Sequence, residues 1–361
     1  MRGAVLRTVG EALVISDDLR LRDPGPGEVR VAMRASGVCH SDLSLQNGTL
    51  TTGTPLPMTL GHEGSGEVLE VGPGVVGVQP GDHVILAWVP PCGRCTVCLA
   101  GQPHLCTEVQ ESRAGLPSRL SDSAGDIAIG LGVGTFAEET VVPAEAVVPI
   151  DKSVPFEVAG LIGCGVMTGV GAVINTAKVE PGSSVAVIGC GGVGINVIQG
   201  ARLSGASTIL AVDRVPAKLE TALAFGATHA VISDDAAEAT QSLTRGAGFD
   251  YVFEVVGRSA TIRQAWDMTR RGGAAVIVGA GSATDQVTFS ALELFYTERR
   301  LLGCFYGSAD VRTDFHRLLG LWKAGRLDLT GLVSREVGLD DVNDAFAAME
   351  SGEVVRSVVR F

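Results

Sequence analysis

A short segment in the middle of the chain joins a strand, a glycine-rich turn and a helix, and it constrains the fold more than any other feature. Residues 184–188 read Ser-Val-Ala-Val-Ile, which is typical of a buried strand. Residues 189–194 read Gly-Cys-Gly-Gly-Val-Gly, and the apolar spacing of the following INVIQGARLSG is typical of a helix. A second β-rich run, TILAVD, ends at Asp213. This order predicts a parallel βαβ unit.

The glycines of this turn have separate physical reasons. Gly189 allows the tight turn, Gly191 lets a pyrophosphate approach the backbone, and Gly194 permits close packing of helix and strand. The following helix begins near Gly192, and the N–H groups at its N-terminus would face the phosphates. Asp213 would accept hydrogen bonds from the adenosine ribose hydroxyls. The unit therefore predicts a dinucleotide-binding Rossmann fold.

The acidic residue at the end of the second strand also predicts which dinucleotide is bound. The Asp213 carboxylate would repel a 2′-phosphate, which favours NAD over NADP. Arg214 follows it and weakens this preference only slightly; stacking near the adenine or simple solvation is its alternative role. The later runs HAVIS, FDYVFEVVG and GGAAVIVGAG resemble further parallel core strands with glycine-rich ends. Together they predict an α/β fold with a doubly wound parallel sheet.

Four cysteines form one short run at Cys92, Cys95, Cys98 and Cys106, with the spacing C-x2-C-x2-C-x7-C. Four thiolates on a short loop suit a tetrahedral Zn²⁺, and four protein ligands leave no open position, so such a zinc is structural. An iron–sulfur cluster is an alternative, although its run normally ends C-x3-C-P. Two disulfides are a second alternative, more typical of small secreted scaffolds. The spacing favours zinc.

Length and composition exclude several classes of protein. A chain of 361 residues with 46% hydrophobic residues favours two domains with full cores. The net charge of −12, with no basic run, opposes nucleic-acid binding. The longest apolar stretch, LIGCGVMTGVGAVI, is interrupted by glycines and is too short for a membrane span. The N-terminus alternates like a strand instead of forming a signal sequence, so we expect a soluble protein in the reducing cytoplasm.

Three residues from distant segments suggest a second metal site. Cys39 lies in GVCHSD, His62 in GHEGSGEV and Cys164 in GLIGCGVMTG. Singly each is unremarkable, because a buried free cysteine behaves as a small hydrophobic residue. Together, two thiolates and one imidazole suit a three-ligand zinc with a fourth position open to water or substrate. The remaining cysteines, Cys190 and Cys304, are expected to be ordinary residues of the nucleotide-binding domain.

These motifs carry a specific resemblance. The chain resembles the zinc-dependent medium-chain alcohol dehydrogenases (medium-chain dehydrogenase/reductases) over essentially its whole length. The matching segments are GVCHSD, GHEGSGEV, the four-cysteine run, GCGVMTGVGAVINTAKVEPGSSVAVIGCGGVG, AVD followed by Lys218, and GEVVRSVV. It is most similar to the branch with liver-type and formaldehyde-oxidising members, and two segments are close to the mycothiol-dependent formaldehyde dehydrogenases of actinobacteria. The resemblance implies a β-rich, GroES-like catalytic domain in addition to the Rossmann domain.

The resemblance also implies roles for single positions. Cys39, His62 and Cys164 match the catalytic zinc ligands, Asp42 and Glu63 match the carboxylates that orient them, and Ser41 matches the hydroxyl that takes the alcohol proton. The implied cofactor contacts are His40 and Arg356 at the pyrophosphate, Lys218 near the adenosine ribose, Thr168 and Val193 against the nicotinamide, and Val278. Without the resemblance, Arg356 and Lys218 would be read as solvated surface charges.

The expected substrate pocket is made by Trp88, Phe136, Ala280 and Phe305, together with the segment 107–134. Its aromatic residues favour an apolar primary alcohol, aromatic ones included, or its aldehyde, although such rings also occur as ordinary core residues. In many liver-type members a histidine five positions after the first zinc ligand completes the proton relay. Here Ser44 stands at that position, so the proton is expected to leave through a ribose hydroxyl and water.

The implied activity is hydride transfer between a primary alcohol or aldehyde and NAD, with zinc acting as a Lewis acid. The nearest alternative is a thiol-dependent formaldehyde dehydrogenase acting on an S-hydroxymethyl adduct, such as that of mycothiol. A non-catalytic nucleotide-binding relative would be expected to lack a zinc ligand, and a zinc hydrolase would leave the Rossmann segment unexplained.

The expected organisation is discontinuous. Residues 1–165 and 306–361 form the catalytic domain, with a structural zinc lobe at about 90–108, and residues 166–305 form the NAD-binding domain. We expect two zinc ions per chain, a small alcohol or aldehyde as the partner, no nucleic acid or membrane, and a homodimer or homotetramer.

Overall fold

A computed structural model describes residues 1–51, 53–112 and 118–361. The chain divides into two compact units. The first contains Met1–Gly165, Asp310–Gly325 and Leu329–Phe361, and the second contains Val166–Ala309 and Arg326–Asp328.

The strands of the described residues follow in chain order. They are β1 Gly3–Leu6, β2 Val14–Ser16, β3 Arg20–Leu21, β4 Glu28–Gly37, β5 Met58–Thr59, β6 Glu63–Val71, β7 His83–Leu86, β8 Leu120–Asp122, β9 Gly125–Ile129, β10 Glu139–Pro143, β11 Val147–Ile150, β12 Ser184–Ile188, β13 Thr208–Asp213, β14 His229–Ile232, β15 Phe249–Glu254, β16 Thr269–Ile277, β17 Arg300–Gly303, β18 Val333–Val337 and β19 Arg356–Arg360.

The α-helical segments of the described residues range from short turns to the 13-residue α11. They are α1 His40–Gln46, α2 Thr96–Leu99, α3 Glu108–Glu111, α4 Phe156–Leu161, α5 Met167–Gly171, α6 Gly192–Leu203, α7 Pro216–Ala224, α8 Ala236–Thr244, α9 Ser259–Met268, α10 Ala291–Thr297, α11 Val311–Lys323 and α12 Val342–Ser351. π-helical turns at Ile162–Val166 and Ala172–Ala177 follow α4 and α5.

The first unit is built from two mixed sheets. One has the strand order β2-β1-β5-β9-β8-β3, and the other has the order β11-β7-β6-β4-β19-β18, with β10 also paired to β4. The long strands β4 and β6 are antiparallel and run side by side from Val29 opposite Val71 to Gly37 opposite Glu63. Cys39 lies two residues after the end of β4, and His62 lies directly before the start of β6. The pairing of Gly37 with Glu63 therefore brings Cys39 and His62 close together.

The second unit is the predicted doubly wound parallel sheet. Its strand order is β14-β13-β12-β15-β16-β17, and all five neighbouring pairs are parallel. The strands β12 and β15 are central and carry continuous runs of buried apolar side chains, as strands covered on both faces do. Trp266 of α9 is fully buried in the core cluster that also contains Phe249. The predicted strands at 184–188 and 208–213 match β12 and β13.

The second crossing between the units falls after Ala309, whereas the sequence places it near residue 305. The difference has a physical cause in the 3₁₀ turn Tyr306–Ser308. The Gly307 carbonyl accepts a hydrogen bond from Asn175 Nδ2 over 3.2 Å, and the Ser308 and Thr176 hydroxyls lie 2.7 Å apart, which keeps the turn in the second unit.

The chain returns briefly to the second unit at Arg326–Asp328, and two side chains of α6 bind this segment. Gln199 is buried and exchanges two hydrogen bonds with the backbone of Asp328, and Arg202 Nη2 donates to the Arg326 carbonyl. These bonds explain why residues Arg326–Asp328 group with the Rossmann sheet.

One helix is longer than the sequence suggests. The segments from α4 to the second π turn form a single helix, Phe156–Ala177, of 22 residues, which is long and apolar enough to cross a membrane. The expectation that no apolar segment reaches that length is wrong on length, because the helix continues past the glycines that interrupt the apolar run. Of an apolar 18-residue stretch of this helix, 89% is buried inside the structure, and the core helices of soluble proteins can be equally long and apolar.

Candidate active site and metal centres

The first candidate site begins where β4 ends. Cys39 is the N-cap residue of α1 and is buried, and the first turn of that helix carries Ser41 and Asp42. The Cys39 Sγ lies 3.9 Å from the Ser41 Oγ. Asp42 is fully buried in spite of its charge, so it needs partners inside the unit.

Asp42 finds those partners in the segment that carries His62. Its Oδ1 accepts a hydrogen bond from the Gly61 N–H over 2.9 Å and lies 3.1 Å from the His62 Nδ1. Gly61 has a positive φ of 86°, which lets the chain turn into β6 at this point. A histidine that donates its Nδ1–H to a carboxylate presents the other nitrogen as a metal ligand. Asp42 therefore orients the His62 ring.

Glu63 is held by a cation from the far end of the chain. Its Oε1 accepts hydrogen bonds from the Arg356 Nη2 over 2.7 Å and from the Gly165 N–H over 3.0 Å. The Arg356 Nη1 donates to the Val38 carbonyl over 3.0 Å. Both charged side chains are buried, at 6% and 0% exposure. Arg356 thus connects the segments that carry Cys39, Glu63 and Cys164.

Cys164 lies in the π turn Ile162–Val166, a geometry that often marks functional positions in helices. Ligand atoms of Cys39, His62, Glu63 and Cys164 all lie within 4.8 Å of one another, and all four residues are buried. Among the described residues the His62 Nε2 and the Glu63 Oε2 have no hydrogen-bond partner. Two thiols, a bare imidazole nitrogen and a bare carboxylate oxygen, converging in a buried cluster, fit a zinc ion.

Burial and mutual contact shift the pKa values in this cluster. A hydrogen bond from Cys164 and the nearby charges of Arg356 and His62 hold the pKa of the Cys39 thiol well below its usual range, whereas the same contact and burial raise the pKa of Cys164. Burial raises the pKa of Glu63 to about 8, against the opposing charge of Arg356. The contact with Cys164 therefore favours the thiolate form of Cys39, which is the form that binds a metal ion.

The four-cysteine run forms a separate compact lobe. The Sγ atoms of Cys92 and Cys98 lie 4.0 Å apart, and those of Cys95 and Cys106 lie 3.9 Å apart. Tetrahedral Zn–S bonds of about 2.3 Å place sulfur atoms about 3.8 Å apart, so the lobe fits zinc. The thiol of Cys92 also accepts hydrogen bonds from the N–H groups of Arg94 and Cys95. All eight cysteines of the chain are free, which contradicts the disulfide alternative.

The glycine turn has the geometry that a dinucleotide requires. Gly189 has a φ of +97°, and an added Cβ at Gly194 would lie 1.9 Å from the Gly189 carbonyl oxygen. An added Cβ at Gly191 would meet no described atom within 4 Å, so this position faces open space. Gly191 is the N-cap of α6, whose first residues are Gly192 and Val193. The turn therefore offers backbone N–H groups to a phosphate at an unobstructed glycine.

Asp213 ends β13 and has a second role that the sequence did not suggest. Its Oδ2 accepts a hydrogen bond from the Cys190 N–H over 2.7 Å, and its Oδ1 accepts one from the Val215 N–H over 3.0 Å. It thus holds the glycine turn in place while its remaining lone pairs can accept from a ribose. Arg214 is exposed and Lys218 is half-buried.

The other predicted cofactor positions lie in different environments. His40 is exposed at the start of α1, Thr168 is nearly buried in α5, and Val278 follows β16. Arg356, predicted at the pyrophosphate, has its guanidinium on Glu63 and Val38 instead of at the surface. Its contact with a cofactor stays a prediction.

The predicted substrate residues are not equivalent. Trp88 is half-buried, and its ring meets the His62 ring edge-on with centroids 5.8 Å apart. Phe136 is completely buried in an apolar cluster, with its ring 6.2 Å from that of Phe346, so its surroundings are those of a core residue. Ala280 and Phe305 are exposed residues of the second unit. Within the segment 107–134, residues 113–117 lie outside the described residues.

Sequence reasoning missed the bond between Arg356 and Glu63 and the close approach of two glycines to it. An added Cβ at Gly37 would lie 2.2 Å from the Glu63 Oε2, and one at Gly165 would lie 2.1 Å from the Arg356 Nη2. The local signal of such crowding is a glycine within two residues of a proposed ligand, as with Gly37 before Cys39 and Gly165 after Cys164.

Comparisons with known proteins identify the family. The model described as "Alcohol dehydrogenase GroES-like domain" matches residues 25–152, and the one described as "Zinc-binding dehydrogenase" matches residues 192–323. An S-(hydroxymethyl)glutathione dehydrogenase of Paracoccus denitrificans is 38% identical over 100% of this chain and 99% of its own length. The chain belongs to the zinc-dependent alcohol dehydrogenase family.

Solved structures place this alcohol dehydrogenase in the same fold. The crystal structure of an "Alcohol dehydrogenase zinc-binding domain protein" from Burkholderia ambifaria has a TM-score of 0.92 at 34% identity, covering 100% of this chain and 98% of the other. The benzyl alcohol dehydrogenase of Acinetobacter calcoaceticus has a TM-score of 0.90 at 32% identity, covering 100% and 99%. The predicted family, the fold class and the activity of a zinc- and NAD(P)-dependent dehydrogenase acting on small alcohols or aldehydes are confirmed.

Proposed function

We propose that this dehydrogenase oxidises apolar primary alcohols, aromatic ones included, with NAD, at a catalytic zinc held by Cys39, His62 and Cys164. The observation that carries the proposal is the buried cluster in which these three residues and Glu63 bring their ligand atoms within 4.8 Å of one another. When bound, zinc lowers the pKa of an alcohol and NAD⁺ accepts the hydride; the residues of the chain hold and orient both.

The carboxylates next to the cluster keep its geometry. Asp42 fixes the tautomer and the direction of the His62 ring through the 3.1 Å contact to Nδ1. Arg356 and the Gly165 N–H both donate to the Glu63 Oε1, and the Glu63 Oε2 has no hydrogen-bond partner among the described residues. Such contacts orient metal ligands and affect both affinity and activity.

The proposed proton route begins at Ser41. Its hydroxyl lies beside Cys39, one turn away from Ser44 on the same helix. A serine hydroxyl passes a proton on only by accepting another, so it relays and does not act as a base near neutral pH. Ser44 cannot be the terminal base, so Ser41 is the residue proposed to pass the proton on, and a ribose hydroxyl of a bound cofactor would supply the next acceptor before water.

The apolar substrate preference rests on one ring in particular. Trp88 lies against His62, so an alcohol bound at the cluster would meet an indole face or edge. The similarity to a benzyl alcohol dehydrogenase supports an aromatic alcohol. The NAD preference rests on the Asp213 carboxylate.

A second candidate reaction has a specific observation in its favour. The Paracoccus relative, 38% identical over the whole chain, is an S-(hydroxymethyl)glutathione dehydrogenase. The same zinc and NAD⁺ would then oxidise an S-hydroxymethyl thiol adduct, such as that of mycothiol, instead of a free alcohol.

One experiment separates the two reactions. NADH formation is followed with benzyl alcohol and 1-hexanol, and then with formaldehyde in the presence and absence of a low-molecular-weight thiol, while zinc is counted in the same sample. We expect turnover of the free alcohols and two zinc ions per chain. Strict dependence on the thiol would replace the first proposal by the second.

We also propose a cytoplasmic homodimer or homotetramer. Eight free cysteines suit a reducing compartment, which supports the cytoplasm.

The oligomer is supported by one edge of the parallel sheet. Strand β17 ends the sheet with an open edge, and α10 directly before it exposes Leu292, Phe295 and Tyr296 on one face, with exposures of 71%, 80% and 60%. An open edge beside exposed apolar residues favours pairing with a second copy. Light scattering of wild type and Phe295→Glu tests this, and a wild-type monomer would contradict it.

A further inference from the structure

Glu254 is a fully buried carboxylate that has no part in the proposed reaction. It is the last residue of β15, in the middle of the parallel sheet, and its side chain accepts three hydrogen bonds on one oxygen. The donors are the N–H groups of Val256 and Gly257, each at 2.8 Å, and the Thr261 hydroxyl at 2.7 Å. The carboxylate thus holds the loop that connects β15 to α9.

The backbone of the same residue holds a second loop. The Glu254 carbonyl accepts hydrogen bonds from the N–H groups of Val278 and Gly279, over 2.8 Å and 3.0 Å. These residues begin the loop after β16, the neighbouring strand. One residue therefore joins two consecutive strand-to-helix loops of the sheet.

The loop Val255–Gly257, which the Glu254 carboxylate holds, contacts a loop on each side. An added Cβ at Gly189 would lie 2.8 Å from the Val256 Cγ2, so this loop touches the glycine turn after β12. On its other side, an added Cβ at Gly279 would lie 2.2 Å from the Gly257 nitrogen, and one at Gly257 would lie 2.7 Å from the Ala280 carbonyl. The loops after β12, β15 and β16 are therefore in direct contact.

We propose that Glu254 is a positioning residue for the dinucleotide: by holding the loop Val255–Gly257, it sets the distance between the glycine turn and the loop that begins at Val278. Ligands of open parallel sheets bind at the carboxyl ends of the strands, where these three loops lie. The inference rests on the proposed use of a dinucleotide but not on any substrate. Glu254 itself touches neither the cofactor phosphates nor the reacting atoms in this role.

Two substitutions separate the negative charge of Glu254 from its role as a hydrogen-bond acceptor. Burial raises the pKa of Glu254, against the hydrogen bonds from Thr261, Gly257 and Val256, so the site tolerates a neutral group. A glutamine keeps a carbonyl oxygen for the three donors, whereas an alanine leaves them without an acceptor. Glu254→Gln should therefore preserve cofactor binding, and Glu254→Ala should not.

The experiment measures cofactor affinity directly on the zinc-loaded protein. NADH is titrated by fluorescence, and KM for NAD and kcat are measured with a saturating alcohol. For Glu254→Ala we expect the Kd for NADH and the KM for NAD to rise about tenfold, while kcat at saturating NAD and the zinc count stay unchanged. Glu254→Gln should remain within about twofold of wild type for all four quantities.

Asp250 provides a matched control at the opposite end of the same strand. Its Oδ2 accepts hydrogen bonds from the N–H and the hydroxyl of Ser184, both over 2.7 Å, and its Oδ1 accepts one from the Arg270 Nε over 2.6 Å. Asp250→Ala therefore also removes the acceptor of three hydrogen bonds, but far along β15 from the loops. This variant should lower Tm without changing the Kd for NADH. Equal losses of affinity in Asp250→Ala and Glu254→Ala, or wild-type affinity in Glu254→Ala, would overturn the proposal.

A milder variant serves if Glu254→Ala does not fold. Thr261→Val removes only one of the three donors to Glu254 and should raise the Kd for NADH about twofold to threefold. An unchanged Kd would then contradict the positioning role of Glu254.

A failure of the proposed function gives a different pattern. If the chain did not use a dinucleotide, wild type would bind no NADH, and all variants would share that result. If only the alcohol were wrong, the NADH titration would still separate Glu254→Ala from Glu254→Gln.

Discussion

Arg356 donates a hydrogen bond to Glu63 over 2.7 Å, although 293 residues separate them in the chain. The pair is buried, and its arginine also donates to the Val38 carbonyl next to Cys39. The last strand of the chain, β19, brings Arg356 there by pairing with β4. The bond therefore fastens the C-terminal strand to the segments that carry the proposed zinc ligands.

Removing the cation should destabilise the first unit strongly. Arg356→Ala leaves the buried Glu63 side chain without its main hydrogen-bond donor, and losing a buried hydrogen bond from a charged group costs about 1.5–3 kcal/mol. We expect a lower urea midpoint of unfolding and partial loss of zinc. Arg360→Ala is the matched control, because the Arg360–Glu157 pair is partly exposed and should contribute less than about 1 kcal/mol. Equal effects in the two variants would contradict the importance of the buried pair.

A substitution in the proposed catalytic set should remove one zinc and all turnover. Cys39→Ser replaces a thiolate by a weakly coordinating hydroxyl, so we expect the zinc count to fall from two to one per chain. NADH binding should change less than about twofold, because the glycine turn lies in the other unit. Metal analysis and an NADH titration on the same sample check both statements. Retained activity would refute the assignment of Cys39.

A substitution in the four-cysteine lobe should act on stability first. Cys98→Ser removes one of four thiolates whose binding to zinc holds the lobe in shape, and it should lower Tm by several degrees. Any protein that keeps its other zinc should still turn over substrate. If Tm stayed unchanged and chemistry stopped, the structural and catalytic roles of the two sites would have to be exchanged.

Local sequence patterns were enough for the Rossmann unit but not for the contacts between distant segments. The strand at 184–188, the glycine turn and Asp213 lie within thirty residues, so spacing alone predicts their arrangement. The approach of Cys39, His62 and Cys164 depends on the pairing of β4 with β6 and on a π turn, which no local pattern shows. The residue types suggested a three-ligand zinc site, and the resemblance to a known family implied that these three residues form it.

Two residues show how burial limits such reasoning. Arg356 reads as a solvated charge, because only the folded chain reveals that Glu63 and the Val38 carbonyl receive its donors. Phe136 reads equally well as a pocket residue or a core residue, and its contact with Phe346, 210 residues away, favours the core. For both side chains, the free energy of burial depends on contacts with residues that are remote in the sequence.

Cofactor preference should respond to Asp213. Asp213→Gly removes the charge that repels a 2′-phosphate, and we expect the ratio of the NADPH Kd to the NADH Kd to fall about tenfold. Because the carboxylate also holds the Cys190 and Val215 N–H groups, both affinities should weaken as well. Asp213→Asn, which keeps an acceptor for these donors, should shift the ratio with a smaller loss of affinity. An unchanged ratio in both variants would count against the role in selection.

Glu28 should make the stability of the first unit dependent on pH. It is buried, and it accepts hydrogen bonds from Arg22 over 2.7 Å and 3.0 Å, from Arg119 over 2.8 Å and from the Gly25 N–H over 2.9 Å. Burial opposes the charge, but the two arginines outweigh it and lower the pKa of Glu28 to about 2. A carboxyl with a lowered pKa in the folded state stabilises that state fully above its unfolded pKa of about 4.3.

The sign of the effect follows from this order of pKa values. As the pH falls from about 4.3 towards 2, the unfolded chain takes up a proton that folded Glu28 resists, so the stabilisation is lost progressively. Glu28→Gln should therefore be less stable than wild type at pH 6, by about 1.5–3 kcal/mol for a lost charged hydrogen bond, and this gap should narrow as the pH falls to 3. Urea unfolding of both proteins across that range measures the gap. A gap independent of pH would mean that packing, and not the charge of Glu28, holds Arg22 and Arg119 in place.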